Sequence, residues 1–589
     1  MYGWSGNLLN VSLSDGSISY EDTPYLQDYI GGRGLGVRLF FDRASPCIDP
    51  YDPSCPLVFS FGPLNGTPAP TSGRCSAVTR SPLTMTIFDS NCGGSLATRA
   101  KACGNDAVCI TGRADAPSIL VVEEDTASIV RAGSLWGMDI PSAGAALKER
   151  YGTRVGLAMI GPAGEAGVRF ATISTDDYRV FGRGGLGAVM GSKNLKAVVF
   201  MGSRKTAVAD PVQLRFVREQ ARKLLEANPI TSRGLKAFGT PILVNIVNTM
   251  GMFPVNNYQR SHTDRADEIS GETITATMLE KRRACTACTI QCDRITSIDG
   301  VRSRGPEYET VWALGPNCGI FDLRSIAASN KLCNTLGLDT ITCGATIACA
   351  MELVERGHLD APISFGMDLS DTIEMIARRE GIGARLAEGS RRLAESAGAP
   401  EYAMQVKGLE LPAYDPRGAQ GMGLAYAVSN RGACHLRSYI LGSEVLGIPK
   451  LLDRMLTGEK VSLEITLEHL NAAVDSLPLC RFTTFSLSEE YFSRMLTSVT
   501  GVEYSETDLM RIGERIWNLE RLYNTRCGFS RDEDTLPPRL LEEPIAEGPA
   551  AGQVCRLGEM LPGYYRARGW DTEGNPLPHK LEELGLDHV

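Results

Sequence analysis

The sequence predicts an α+β protein, with a β-rich N-terminal domain over residues 1–207 and two mainly helical domains over 208–412 and 413–589. Three observations carry this. The 589 residues are 43% hydrophobic, enough to bury several cores. Up to about residue 205, short β-branched runs alternate with Gly, Ser and Asn turns. Beyond that point apolar residues recur at helical spacing.

In order along the chain, "NLLNVSLSDGSISY" reads as two strands around an Asp-Gly turn, with no basic region, apolar run or twin arginine of an export signal. "PLVFSFG", "AVCITG", "SILVVEE" and "LKAVVFMG" are further strands. The helical period begins at "DPVQLRFVREQARKLLEA" and returns in "DTIEMIARREGIGARLAEGSRRLAESAG". The Gly/Pro-rich "GLELPAYDPRGAQGMG" marks a further boundary, and the closing "LPGYYRARGWDTEGNPLPHKLEELGL" reads as mostly extended. No apolar stretch is long enough to cross a bilayer. Seventeen irregularly spaced cysteines fit a reducing cytosol better than a disulfide scaffold, and a formal charge of −9 argues against a nucleic-acid surface. A soluble, cytoplasmic protein is expected.

Chemistry concentrates in a few stretches. "CTACTIQC" sets Cys285, Cys288 and Cys292 in a C-x₂-C-x₃-C run, whose order differs from the C-x₃-C-x₂-C of radical enzymes. Incidental buried thiols rarely repeat this way, and a cubane or tetrahedral zinc needs a fourth, distant ligand. A candidate appears in an internal echo: "NTLGLD" at 334–339 resembles "DSLPLC" at 475–480. Similar loops imply similar ligands. A second echo pairs "GGRGLGVRLF" at 31–40 with "GRGGLGAVMGSKNLKAV" at 182–198. The latter contains a formal G-x-G-x-x-G, but "STDDYRV" before it is a poor buried parallel strand and no long helix follows, which opposes a dinucleotide fold. Two glycine loops, with Arg183 and Lys193, would still suit phosphates.

Together with "MYGWSGNLLNV", "IGPAGEAGVRFA", "GPEYETVWALGPNCG", "VKGLELPAYDPRG", "SNRGACHLR" and "YYRARGWDTEG", these stretches identify the chain, end to end, as similar to the aldehyde:ferredoxin oxidoreductase family of tungsten enzymes. The resemblance implies one tungsten (or molybdenum) held by two pterin dithiolenes, and one [4Fe–4S] cluster bound by Cys285, Cys288, Cys292 and Cys480. It places Asn334, Leu338 and Asp339 at one pterin and Asp475 and Leu479 at the other. Arg74, Asn91 and the 182–185 backbone (Gly182, Arg183, Gly184, Gly185) fall near the pterin phosphates and a bridging Mg²⁺. The sequence departs twice from the pattern: Asn334 stands where Asp is usual, and Pro478 where Gly is usual, removing a backbone donor.

The reaction implied is oxidation of a small aldehyde to a carboxylic acid, with electrons leaving to ferredoxin or an iron–sulfur partner subunit. His435 is the candidate general acid or base, because histidine ordinarily titrates near neutrality; Glu307 or Glu309 is expected to face the substrate beside it. A homo- or hetero-oligomer is expected, although only 355–358 fits the E-x-x-H pattern through which relatives share a metal. A tungsten-dependent aryl-CoA reductase would use similar loops and is the alternative. An electron-transfer subunit would need neither the paired loops nor His435, and a nicotinamide dehydrogenase rests on the glycine pattern alone.

Overall fold

The computed structural model describes residues 1–175 and 179–589. Each β-branched run read from the sequence is a strand. In the first sheet β1 (Asn7–Ser12), β2 (Ile18–Asp22), β3 (Leu57–Ser60), β4 (Cys75–Arg80), β5 (Ile87–Cys92) and β6 (Ala107–Thr111) lie in the order β2-β1-β6-β3-β4-β5. A second six-stranded sheet holds β7 (Ser118–Val122), β8 (Ala127–Arg131), β9 (Gly156–Met159), β10 (Ile173–Ser174), β11 (Val180–Phe181) and β12 (Leu195–Phe200), in the order β11-β10-β9-β12-β7-β8. Both are mixed: β1 runs parallel to β6, and β12 parallel to β7, while the remaining pairs are antiparallel. Of segment 174–180, residues 176–178 lie outside the described residues.

The N-terminal region is more helical than its composition indicates. The run "GGRGLGVRLF" enters the helix Gly32–Arg43, whose residues 32–40 are all buried. Glycine weakens an isolated helix by about 1 kcal/mol per residue, but here its small size is what packing requires. A Cβ at Gly31 would come 2.5 Å from the Phe61 oxygen, and Cβ atoms at Gly32 and Gly34 would overlap the Asp475 and Tyr29 oxygens. The second run enters the short helix Leu186–Ser192 in the same way. Gly185 has φ +73° and a Cβ there would overlap the Arg169 oxygen. Gly185→Ala is therefore expected to cost about 3 kcal/mol, through backbone strain and overpacking. A melting temperature equal to that of the unaltered protein would reject this.

The rest of the chain is mainly helical. The helix Pro211–Ala227 is capped by Asp210, whose carboxylate accepts from the Val212 and Gln213 amides at 3.0 and 2.8 Å. Such a cap satisfies two orphan donors. Two features differ from the sequence reading. A three-stranded sheet of β13 (Leu279–Arg283), β14 (Asp293–Ile298) and β15 (Val301–Arg304) interrupts the helices. Its signal is the Asp299-Gly300 turn, both residues at positive φ as a two-residue hairpin requires. The closing segment, expected to be extended, holds the helices Leu557–Arg568 and Pro578–Leu584. Pro562 lies inside the first, where burial of Leu557, Met560, Leu561, Tyr564 and Tyr565 on one face outweighs the lost hydrogen bond. Among the described residues no helix is long and apolar enough to cross a membrane.

Candidate cofactor and active site

A cavity of about 550 Å³ opens between the sheets and the helical part. Its wall includes Arg74, Asn91, Gly182 and Arg183 from the first region, and Asn334, Leu338, Asp339 and Asp475 from the two echoed loops. Cys285, Cys288, Cys292, Cys480, Glu307, Glu309 and His435 also line it. Three expected residues do not. Gly184 and Gly185 sit behind the wall as packing glycines, and Leu479 is fully buried with its amide donating to the Val474 oxygen at 3.2 Å. Lys193 is also remote, its ammonium buried against the Pro53 oxygen at 2.9 Å.

The cysteine run forms an irregular loop rather than a short helix, turned back by Ala287 and Gln291, both at φ 55°. Contacts with the N-terminal region fix its place. Thr286 donates its amide to the Gly94 oxygen at 3.1 Å, and the Ala287 oxygen accepts from the Thr71 amide at 2.9 Å. Thr71 Oγ1 in turn accepts from the Cys480 amide at 3.1 Å, which brings the fourth thiol to the same loop. Arg74 Nη1 lies 4.0 Å from Cys480 Sγ, and its Nε donates to Asn91. Burial, reinforced by the Cys480 and Cys285 thiols, pushes Cys288 up to about 11; burial raises Cys292 as well. Thiols so placed resist ionising together unless a metal group takes up their charge. Among the described residues no three Cys, His, Asp or Glu side chains converge on one point that a single ion could occupy. A cubane has no such requirement, since each thiolate binds a different iron. Four thiols brought to one cavity wall are a donor set that a [4Fe–4S] cluster can use.

Both echoes become one spatial relation. The loop after the helix Lys460–Ser476 packs on the start of helix Gly32–Arg43, with Arg33 Nη1 3.7 Å from Asp475 Oδ2. The loop after the helix Leu323–Leu336 packs on residues 170–172, beside the start of helix Leu186–Ser192, with Arg183 Nε 3.6 Å from Asp339 Oδ2. Each glycine run thus supplies a buried arginine to one echoed loop. The expectation that both runs would be phosphate loops is corrected: Gly31, Gly32 and Gly34 touch protein backbone, and Arg33 does not line the cavity. At the two departures, Asn334 donates its side-chain amide to the Asn330 oxygen at 2.9 Å, and the Pro478 ring occupies the space that a Cβ on Gly62 would need.

Further charged residues, not singled out in the sequence, complete the wall. Arg431 and Arg437 flank His435 and both bond to Asp89. Burial would raise the Asp89 carboxyl, but Arg437, Arg33 and Arg431 together hold it below the carboxylate range. Cys434 Sγ accepts from Arg431 Nη2 at 2.9 Å and from the Leu436 amide at 3.3 Å; against burial, Arg431 and Arg437 bring it down to about 7. The signal was present in "RGACHLR", where arginines bracket the histidine. Asn91 Nδ2, Arg183 Nε, Arg431 Nε, Arg437 Nε and Arg481 Nη1 are buried donors without a hydrogen-bond partner. Orphan donors so concentrated suit an anionic group with many oxygens, as pterin phosphates provide.

Glu309 and His435 face one another. His435 Nε2 is 3.6 Å from Glu309 Oε1, while Glu309 Oε2 accepts from the Ala413 amide at 3.0 Å. Glu309 Oε1 and His435 Nδ1 have no hydrogen-bond partner. Burial pushes Glu309 up to about 8 and drives His435 well below its ordinary range, with Arg183, Arg431 and Arg481 adding to the latter. The reason given for His435 in the sequence is thereby corrected: of this pair it is Glu309, and not His435, that is shifted toward the neutral range. Glu307 is set apart: its side chain is 40% exposed against 13% for Glu309, and it accepts from Thr240 Oγ1 at 2.6 Å with Arg179 3.6 Å away.

Known proteins resemble the chain along nearly its whole length. The N-terminal domain of aldehyde ferredoxin oxidoreductase matches residues 8–202, and its domains 2 and 3 match 216–586. The chain is 45% identical to the tungsten-containing aldehyde ferredoxin oxidoreductase of Pyrococcus furiosus, covering 100% of this chain and 99% of that protein. It is 44% identical to the protein of the same description from Pyrococcus abyssi, over 100% of both. Among solved structures, a chain of the active-site complex of benzoyl-coenzyme A reductase with 1,5-dienoyl-CoA superposes with a TM-score of 0.87 at 22% identity, covering 100% of this chain and 98% of that one, which shows a shared fold. With two domain models spanning nearly its whole length and full-length relatives near half identical, the chain belongs to the aldehyde ferredoxin oxidoreductase family.

Proposed function

We propose that the protein oxidises aldehydes to carboxylic acids in a reducing cytoplasm, RCHO + H₂O → RCOOH + 2H⁺ + 2e⁻, and passes the electrons singly to ferredoxin or a related iron–sulfur protein. The observation that carries the reading is one continuous cavity holding both the Glu309–His435 pair and the four half-buried thiols. The relatives at 45% and 44% identity, both named for tungsten and for aldehyde, favour this over thioester reduction, for which only a fold-level likeness speaks.

Cys285, Cys288, Cys292 and Cys480 would hold the cluster. Asn334, Leu338 and Asp339 would contact one pterin and Asp475 the other, with Arg74, Asn91 and the Gly182–Arg183 backbone toward the phosphates and their Mg²⁺. When bound, the metal–pterin group supplies two-electron oxygen-atom chemistry, and the cluster a one-electron exit. The chain's own residues do the remainder. Glu309, its Oε2 fixed by the Ala413 amide, presents Oε1 to the cavity and takes a proton when water adds to the carbonyl carbon. Neutral His435 accepts or donates one hydrogen bond at Nε2 and orients the water or carbonyl oxygen. Tyr439, Leu446 and Phe485 make an apolar flank that suits the R group and keeps bulk water from the charges.

Protein purified without oxygen is expected to contain about one tungsten or molybdenum and two pterins per chain, and to reduce viologen with small aliphatic or aromatic aldehydes. One pterin per metal would reject the two-loop assignment. Inactivity on every aldehyde together with turnover of an aryl-CoA thioester would replace the reaction.

A further inference from the structure

The loop over the cluster thiols reaches the surface, and its charge is unlike that of the molecule. Ala284, Ala287 and Thr289 are exposed between half-buried cysteines, so the loop that carries these three thiols lies at the surface. Beside it runs β13, an edge strand of its sheet, with Lys281 and Arg282 exposed and Arg283 half-buried. Across residues 279–304 six basic side chains stand against three acidic ones, in a chain whose formal charge is −9. Each of the three acids already has an arginine: Glu280 pairs with Arg302 at 2.8 Å, Asp299 with Arg324 at 3.0 Å, and buried Asp293 with Arg304 at 2.6 Å. Among the described residues no carboxylate pairs with Lys281, Arg282 or Arg283. Arg233 adds an exposed cation on the turn whose Ile230 and Gly234 face the cavity with Cys288.

We propose that β13 and the 284–289 loop are the surface on which the small, acidic, ferredoxin-type acceptor of the reaction above docks. An acidic protein is repelled by a carrier of charge −9 except where a positive patch faces it, and that patch lies beside the partly exposed loop that carries three of the thiols. Encounter is thereby steered to a surface next to three of the thiols, from which an electron has a short path. Unpaired cations on an edge strand also discourage strand pairing, but that role would fall as well to any charged side chain there. The contact is expected to be small, polar and salt-sensitive, as suits transient electron transfer. The proposal rests on the oxidoreductase reading above, and its test separates the two.

The double variant Lys281→Glu/Arg282→Glu leaves Arg283 and the cysteines intact. With a purified acidic [4Fe–4S] ferredoxin as acceptor, its KM is expected to rise about tenfold and its salt dependence to flatten, while turnover with methyl viologen, which needs no docking, stays at the unaltered rate. Arg150→Glu/Arg154→Glu, the same charge change at the exposed end of the helix Ile140–Tyr151, is expected to change neither. Direct binding of the ferredoxin, followed by calorimetry at low salt, is expected to weaken only in the first variant. Equal ferredoxin KM and binding in all three proteins would overturn the docking surface, as would equal loss in both double variants. An unaltered protein that binds ferredoxin through this strand yet oxidises no aldehyde would retain the surface and remove the reaction.

Discussion

Cys480→Ser is expected to strip the protein of most of its cluster iron and acid-labile sulfide, whereas Cys527→Ser leaves both at the unaltered level. Of the seventeen cysteines, five are half-buried: the four at the cavity and Cys527. Cys527 is the informative control because its exposure class is the same and its surroundings are not. Its Sγ accepts from the Cys47 amide at 3.1 Å, beyond the end of the helix Glu506–Arg526 and away from the cavity wall. Cys480 is held by Thr71 Oγ1 on the N-terminal side and faces Arg74. A serine hydroxyl stays protonated and binds iron poorly, so three thiolates would remain for four irons. The loss is expected to reach viologen turnover as well, while the metal–pterin content falls less, because the Asn334–Asp339 side of the cavity is untouched. Equal iron and sulfide in the two variants would remove Cys480 from the ligand set and send the search back to the remaining cavity thiol, Cys434.

What could be read from the sequence divides along physical lines. Strands with continuous β-branched runs, such as "LKAVVF", declare themselves because burial on both faces leaves no polar alternation to confuse them. The cysteine spacing and the paired loops stand out because they repeat residue types at fixed intervals, and the structure brings residues of both to one cavity wall. The helix Gly32–Arg43 was not, since its glycines answer to the backbones of Phe61 and Asp475, contacts distant in sequence. The family resemblance puts the Leu479–Cys480 backbone at a pterin, yet of the two equivalent leucines, both buried, Leu338 lines the cavity and Leu479 does not. Their loops differ where Gly337, at φ 81°, is replaced by Pro478. The choice between Glu307 and Glu309 could not be made from "GPEYET", because two positions in one short segment look alike until the fold buries the second and leaves the first partly open.

Glu309→Gln is expected to lower aldehyde turnover by roughly 10²-fold or more, with metal, pterin and cluster contents unchanged. The amide keeps the shape and can still accept from the Ala413 amide, but it exchanges no proton. The pH profile carries the sharper test. With Glu309 pushed up to about 8 by burial, the unaltered enzyme gains its proton acceptor as pH rises through that value, so turnover should climb from pH 6 toward a plateau above 8. The variant should lack this limb. Stability must move the other way. A carboxyl at 4.5 when unfolded and about 8 when folded holds its proton more tightly in the folded state, so its contribution is full below 4.5 and is lost progressively as pH rises to 8. Glutamine cannot ionise, and the variant should therefore gain stability relative to the unaltered protein between pH 5 and pH 9. His435→Asn should reduce the rate while keeping the limb, because burial and three arginines move His435 well below its ordinary range, away from the limb near 8. Glu307→Gln, at a partly open position tied to Thr240, should cost far less than either. If the alkaline limb survives in Glu309→Gln and disappears in His435→Asn, the proton acceptor is the histidine and the roles assigned to the pair are reversed.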